Sequence, residues 1–140
     1  MRIHKLSLLV ATVALVSCAG AGGDGSAEEV SGLTPVQFDD IPVPDGMRLD
    51  VNLHESHSFE VGSFRIGEFH YSGTMSPKAV EDYMRQRMPL HDWRIVDETR
   101  ADKRVDITFR RMPHRADCRI WTDVRGVTRL LVEVSTPREA

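Results

Sequence analysis

Apolar and polar residues alternate one by one in several short runs of this chain, and only a few residues separate one run from the next. Met47 to Leu53 alternates in this way, as do the runs at 105–110, 118–124 and 130–134. Strict alternation predicts half-buried β-strands. We expect the strands to be antiparallel neighbours, because a parallel pair needs a crossover of a dozen or more residues.

One segment breaks this period. Ser76-Pro77 has the form of a helix N-cap followed by proline at the first helical position. Val80, Tyr83, Met84 and Met88 then recur at helical spacing, which predicts an amphipathic helix of about three turns. Pro89 ends it, because proline cannot continue a helix. The polar side of this helix comprises Lys78, Glu81, Asp82, Arg85 and Gln86.

Together these elements predict an α+β domain over residues 47–136. We expect an antiparallel sheet of about five to six strands in the order ββαββββ, with the one helix packed on one face. The strand at 64–72 contains Gly67, where the apolar alternation shifts, and this predicts a β-bulge. Residues 35–46 carry three prolines and a Pro-Asp-Gly turn signal, so they form an extended Pro-rich lead-in.

The N-terminus has the three-part layout of a secretory signal peptide at residues 1–17. Arg2 and Lys5 provide a short positive region, an apolar run covers 6–16, and small residues occupy 17–20. A bilayer span needs about 20 apolar residues, and this run is much shorter. We therefore interpret it as an export signal.

The last residues of this segment, Leu15-Val16-Ser17-Cys18, resemble the lipobox of bacterial lipoproteins. The resemblance implies cleavage before Cys18 and lipidation of its thiol, including palmitate, so that the chain is attached to a membrane. Ala19 in place of Asp implies, within the same resemblance, the outer membrane facing the periplasm of a Gram-negative cell. Residues 18–34 would be the lipidated cysteine and a tether, whose Gly, Ser and acidic composition is typical of a flexible linker.

The domain itself is similar to small bacterial lipoprotein domains of uncharacterised function. The shared features are the lead-in Ile41–Gly46, Ser76-Pro77, Met88-Pro89 and Trp93. Relatives more often have glycine before this tryptophan, where this chain has Asp92. The resemblance implies the fold and supplies no functional residues.

Removing residues 1–17 leaves 123 residues with 16 basic and 21 acidic side chains, a net charge of −5. This acidic balance argues against nucleic-acid binding.

If Cys18 carries lipid, then Cys118 is the only other cysteine and no intrachain disulfide can form. Cys118 is then a reactive thiol, half of an intermolecular bridge or a small buried side chain, and we favour the buried side chain.

His54 and His57, with Glu55 between them, are weak candidates for metal ligands, and Glu60, His70 or Asp40 would have to complete such a site. We favour polar loop residues, since a spacing of three brings two histidines to one face only on a helix. We interpret two further groups in the same way, as turn residues: His91-Asp92, and His114 beside Arg111 and Arg115. The arginines Arg110, Arg111 and Arg115 would alternatively contact anionic lipid headgroups.

No catalytic set and no cofactor are predicted. The first hypothesis is a non-enzymatic envelope lipoprotein that binds another envelope protein, with exposed sheet edges as docking sites. The second is a small-ligand or lipid-binding module with a pocket between helix and sheet. A third is a metal-assisted enzyme. A pocket for the second hypothesis would be lined by Met84, Met88, Trp93 and Phe109.

Overall fold

A computed structural model describes residues 36–51 and 55–137 of the chain. The predicted export signal, Cys18, the tether and His54 lie outside these residues. No helix in the described ranges has the length and apolarity to cross a membrane. The elements are β1 (Met47–Leu49), β2 (His57–Val61), β3 (Phe64–Gly73), α1 (Pro77–Arg87), a 3-10 turn (Met88–His91), β4 (Arg94–Ala101), β5 (Arg104–Arg111), β6 (His114–Thr122) and β7 (Thr128–Ser135).

The strands form one antiparallel sheet in the order β1-β3-β7-β6-β5-β4, and β2 lies beside β1 along the same edge of β3. The α+β class, the antiparallel pairing and the single helix among the described residues agree with the prediction. The predicted strand count and order are wrong, because there are seven described strands and three of them precede the helix.

The strand count differs from the prediction because of the segment predicted as one strand over Met47 to Leu53. Here β1 ends at Leu49, and the Asp50 amide makes one more hydrogen bond, to the His70 carbonyl at 2.8 Å. A second strand, β2, then begins at His57. Strand β3 has ten residues, long enough to pair with both short strands in succession. Alternation shows which residues share a face, but it does not show how many partners one long strand has.

Helix α1 begins and ends as the sequence predicts. The Ser76 hydroxyl accepts a hydrogen bond from the Ala79 amide at 3.2 Å, and Pro77 is the first helical residue. Val80 and Met84 are fully buried against the sheet. After Arg87 the chain tightens into the 3-10 turn that contains Pro89, and it leaves this turn through Asp92 in the left-handed conformation, with φ of 66°.

The core lies between α1 and the inner face of the sheet, defined here as the face that α1 covers. Alternate residues of β3, β5, β6 and β7 point into it. Phe38 and Ile41 of the lead-in are also buried there, so the folded unit starts well before residue 47. The inner-face core residues are Phe69, Tyr71, Val105, Ile107, Phe109, Ala116, Cys118, Ile120, Leu130, Val132 and Val134.

The predicted bulge at Gly67 is absent. The register of β3 with β2 and β7 runs through this glycine without a shift, so Phe64 and Ile66 point to the outer, solvent-facing side of the sheet. A Cβ on Gly67 would lie 2.7 Å from the Phe69 ring and 2.9 Å from the Phe38 ring. The glycine therefore makes room for two aromatic rings. The sheet does contain a bulge, in β4 between Ile95 and Asp97.

The two ends of the sheet differ in what they carry. The proximal end holds the turns after β2 and β5, the start of β4, and residues 36–40 of the lead-in. The distal end holds the turns after β4 and β6 and the start of α1. The described part of the chain therefore begins, at residue 36, at the proximal end.

Candidate functional site

Strand β4 forms one open edge of the sheet. It pairs with β5 on one side only, and no described residue pairs with its other side. All eight of its residues are exposed. An open edge presents unpaired backbone N–H and C=O groups, which are a template for another extended chain. The bulge at Val96 interrupts this edge near its start and leaves Asp97 to Ala101 as its regular part.

A cluster of four charged side chains lies between α1 and β4 on the inner side of this edge. Glu81, which the helical pattern places on the polar side, is in fact buried. Its Oε1 accepts hydrogen bonds from Arg85 Nε at 3.1 Å and from Arg100 Nη2 at 2.6 Å. The hydrogen bond from Arg100 holds the pKa of Glu81 below its usual value, although burial opposes this. Glu98 accepts from both arginines and completes the cluster.

This cluster forms only in the tertiary structure, and the sequence alone predicts only part of it. Helix α1 supplies Glu81 and Arg85 four residues apart, a spacing that the sequence shows. Their partners on β4 come from a different element and depend on how α1 crosses the sheet. Any chain that adds to β4 would meet two arginines and one carboxylate at its inner side.

A groove of about 1020 Å³ lies next to the distal half of the β4 edge. Its sides are the start of α1, the β4–β5 turn and the β6–β7 turn, and the buried residues Val105 and Ile120 are at its floor. The charged residues around it carry both signs. Such a groove can hold apolar side chains at the floor while its rim makes polar contacts, as interfaces commonly do.

A second polar cluster fixes the lead-in to the proximal end of the sheet. Asp40 accepts two hydrogen bonds from Arg65, Nη2 to Oδ1 at 2.7 Å and Nη1 to Oδ2 at 2.9 Å, and a third from Arg111. Its backbone carbonyl accepts from Trp93 Nε1 at 2.9 Å. Burial alone would raise the pKa of Asp40, but these two arginines outweigh burial and lower it. Arg65 also lies 4.0 Å from the Phe38 ring centroid.

The predicted metal candidates are not brought together into a ligand set. His54 lies outside the described residues. His57 is exposed on β2, and its Nδ1 contacts the Glu55 carbonyl at 3.2 Å. His70 hydrogen-bonds Glu68 at 2.7 Å, while Asp40 is held by arginines. Within residues 36–51 and 55–137, no group of three or more His, Cys, Asp or Glu side chains is arranged to hold a metal ion.

The remaining candidate residues are buried in the core or make contacts within the domain. Cys118 is buried in the core, and burial raises the pKa of its thiol. Trp93 is fully buried. His114 Nδ1 lies 2.9 Å from Thr136 Oγ1, and burial lowers the pKa of the imidazole. The four residues expected to line an interior pocket are all fully buried, and they line none of the five described cavities: Met84, Met88, Trp93 and Phe109.

Comparison with protein families, with curated proteins and with solved structures gives no match for this chain. Its function is therefore argued from its own residues. Of the features above, the open β4 edge with its charged flank and neighbouring groove is the arrangement best suited to binding another chain. The sequence predicted that sheet edges would be exposed, but it did not identify which strand would lie at the edge.

Proposed function

We propose that this chain is a lipid-anchored lipoprotein of the bacterial cell envelope, and that its folded domain is a non-enzymatic protein-interaction module. Cys18 is the proposed lipidated residue, and the lipobox-like order of Leu15, Val16 and Ser17 before it supports this assignment. The anchor is proposed to lie in the outer membrane, facing the periplasm, if the cell is Gram-negative.

The observation that carries the interaction role is the open β4 edge. An extended segment of a partner adds to such an edge through backbone hydrogen bonds, and side-chain contacts then give specificity. Arg85, Glu98 and Arg100 flank the inner side of this edge, so the preferred partner strand would carry charges complementary to them. The proposed partner is therefore another envelope protein with an extended, exposed segment.

Metabolic labelling with palmitate tests the anchor. The wild-type chain is expected to incorporate label, and Cys18→Ala is expected to incorporate none, because the thiol is the acceptor. Cys118→Ala is the matched control, since it removes the only other cysteine and keeps the lipobox residues. Label that persists in Cys18→Ala, or an unlabelled wild type, would remove the lipoprotein assignment.

Site-specific photocrosslinking in intact cells tests the edge. A benzophenone side chain at Thr99, in the regular part of β4, is expected to give one discrete protein adduct. The same group at Val51, which is exposed just after β1 at the opposite edge of the sheet, is the control position and is expected to give no such adduct. Equal adducts from both positions, or none from Thr99, would contradict docking at this edge.

The distal groove favours a second candidate function, a module that binds a small ligand or a lipid. Its volume of about 1020 Å³ lies just above the usual range for small-molecule sites, which ends at about 1,000 Å³. Thr122 lines the groove and is exposed, so the larger side chain of Thr122→Trp would occupy part of it and narrow it. Under this alternative, native mass spectrometry would find a small molecule on the wild-type chain and lose it in Thr122→Trp.

A further inference from the structure

Exposed apolar side chains gather at the proximal end of the sheet. Phe59, Val61, Phe64 and Ile66 lie together on the outer face of β2 and β3, and the Phe59 and Phe64 rings meet edge to face with centroids 6.4 Å apart. Five further exposed apolar residues lie at the same end, so this end holds nine of the eleven described: Val36, Leu90, Ile95, Val96 and Met112. Single exposed apolar residues are ordinary, but a contiguous patch marks an interaction surface.

A row of three arginines continues this surface across the outer face. Arg94 pairs with Arg110 across β4 and β5, and Arg110 pairs with Arg115 across β5 and β6. Only Arg115 is neutralised, by Asp117 at 2.7 Å, and neither of the other two makes an ion pair with a described residue. Like charges directly opposite on neighbouring strands are destabilising in isolation. An external anion beside these arginines would reduce the repulsion between their guanidinium groups.

The two features form one band, because the sheet register aligns them. Arg115 pairs with Ser135 of β7, Ser135 pairs with Ile66 of β3, and Ile66 pairs with Phe59 of β2. The outer face at this end thus runs from arginines at one edge to aromatic and aliphatic side chains at the other. This combination of cationic and amphipathic surface is typical of chains that lie against anionic membranes.

The length of chain between Cys18 and the described residues also favours a membrane surface as the partner. Val36 lies at the proximal end and lines a cleft there with Phe59 and Glu60. The 17 residues between Cys18 and Val36 would span roughly 23 Å as a flexible linker. A bilayer that holds Cys18 is therefore close to this end. Tethering at this distance gives an effective concentration on the order of millimolar, so weak surface contacts suffice.

We propose that the proximal end rests on the surface of an anionic-lipid bilayer, with Phe59, Phe64 and Ile66 at the interface and Arg94 and Arg110 against lipid headgroups. This proposal depends on the proposed anchor for its tethering argument, although the surface itself belongs to the folded domain. It orients the molecule, with the distal groove and the distal half of β4 directed away from the membrane and open to a partner.

Vesicle binding tests this surface separately from the anchor. The mature chain from residue 18, made unlipidated as Cys18→Ser, is mixed with phosphatidylcholine vesicles and with vesicles containing about one third phosphatidylglycerol. We expect binding to the anionic vesicles, weaker by roughly fivefold for each of Arg94→Gln and Arg110→Gln. The double variant Phe59→Ser/Phe64→Ser should lose roughly tenfold or more.

The matched control is Val124→Ser/Arg125→Gln in the distal β6–β7 turn, which changes one exposed apolar and one exposed basic residue. It should bind as the parent does, and all variants should keep the parent's circular dichroism spectrum. Equal binding by the parent and the Phe59→Ser/Phe64→Ser variant, or an equal loss in the control, would overturn the proposal. Palmitate labelling reports on Cys18 independently, so failure of the anchor and failure of the surface give different results.

A second measurement uses the anchored wild-type chain and does not depend on the affinity of the free domain. A benzophenone side chain at Phe64 is expected to crosslink to lipid, whereas one at Val124 is not. Protein adducts at Phe64 in place of lipid would overturn the proposal and assign this surface to a protein partner.

Discussion

At the scale of single residues, Asp40 joins the lead-in to the sheet. Residues 36–46 pair with no described strand, so their position depends on side chains, chiefly the Asp40 contacts with Arg65 and Arg111 and the burial of Phe38 and Ile41. Each arginine comes from a different strand, far away in sequence. Removing the carboxylate would leave Arg111 without an ion-pair partner among the described residues, and Arg65 with only Glu60, whose Oε1 lies 3.5 Å from Arg65 Nε.

We therefore expect Asp40→Asn to lower the free energy of unfolding by about 2–4 kcal/mol, because breaking a buried charge pair leaves an uncompensated charge. Urea denaturation at neutral pH measures this loss. Asp39→Asn is the matched control, since Asp39 is exposed beside it, and it should stay within about 0.5 kcal/mol. A loss in Asp39→Asn as large as that in Asp40→Asn would contradict this account.

The lowered pKa of Asp40 gives this contribution a pH dependence. A carboxyl group whose pKa is lower in the folded than in the unfolded chain stabilises the fold fully above the unfolded pKa, which is about 3.9. The contribution is lost as pH falls through the lower folded pKa. The difference between wild type and Asp40→Asn should thus be constant near neutral pH and shrink below about pH 4. A difference that grows on acidification would have the wrong sign.

Asp92 is the one described residue other than glycine with a positive φ. It ends the 3-10 turn, and its amide donates to the Pro89 carbonyl at 3.2 Å. The left-handed region costs a residue with a Cβ roughly 1–2 kcal/mol, less for aspartate than for most. A glycine at this position would adopt the same backbone conformation without that cost.

We expect Asp92→Gly to raise the free energy of unfolding by about 0.5–1 kcal/mol, and Asp92→Val to lower it by at least as much. Asp92 is exposed, so the side chain itself should contribute little. Thermal unfolding of the two variants measures both signs in one experiment. Stabilisation by valine would show that φ is not what limits this position.

At the scale of elements, β3 shows how packing decides a strand that its sequence leaves ambiguous. The apolar residues change parity at Gly67, from Phe64 and Ile66 to Phe69 and Tyr71, and a bulge is the local explanation. In the folded chain the strand is regular, and the first two side chains are simply on the outer face. The Phe38 ring takes the inner position that a side chain at residue 67 would need.

Gly67→Ala should therefore destabilise the domain by about 1–3 kcal/mol through overpacking against Phe38 and Phe69. Ser58→Ala, at the position paired with Gly67 on β2, is the control, because it adds no volume. Denaturant unfolding of both variants is the measurement. A neutral Gly67→Ala would mean that the aromatic rings can move aside at little cost.

At the scale of the whole molecule, the folded unit is larger than alternation suggests. The strand pattern starts at Met47, but Phe38 and Ile41 belong to the core. Their burial contributes about 2–3 kcal/mol each, which is a large share of the 5–15 kcal/mol typical of a domain. The described part of the chain therefore begins at the proximal end, next to the exposed apolar surface.

Truncation tests this boundary. A chain that begins at residue 36 should unfold at the same denaturant concentration as the chain from residue 18. One that begins at residue 47, the boundary predicted from the strand pattern, should lose most of its stability or fail to fold. Equal stability of the two shortened chains would show that the lead-in does not contribute to the core.

Local sequence signals determined the helix, the antiparallel pairing and most core positions. Ser76, Pro77 and Pro89 fix the helix ends because capping and ring geometry act within a few residues. Alternation fixes the inner face because neighbouring strand residues point to opposite sides. The export signal and Cys18 are predictions of the same local kind, and they lie outside the described residues.

Only the tertiary structure decided which strand lies at the edge, how β3 divides between two partners, and where the lead-in packs. It also brought Glu81 to Arg100, Asp40 to Arg111, and the arginine row to the apolar surface. Each of these contacts joins residues far apart in sequence, and the pattern of one segment carries no information about its partner. They depend on the order and register of the strands, which are set by the packing of the whole sheet.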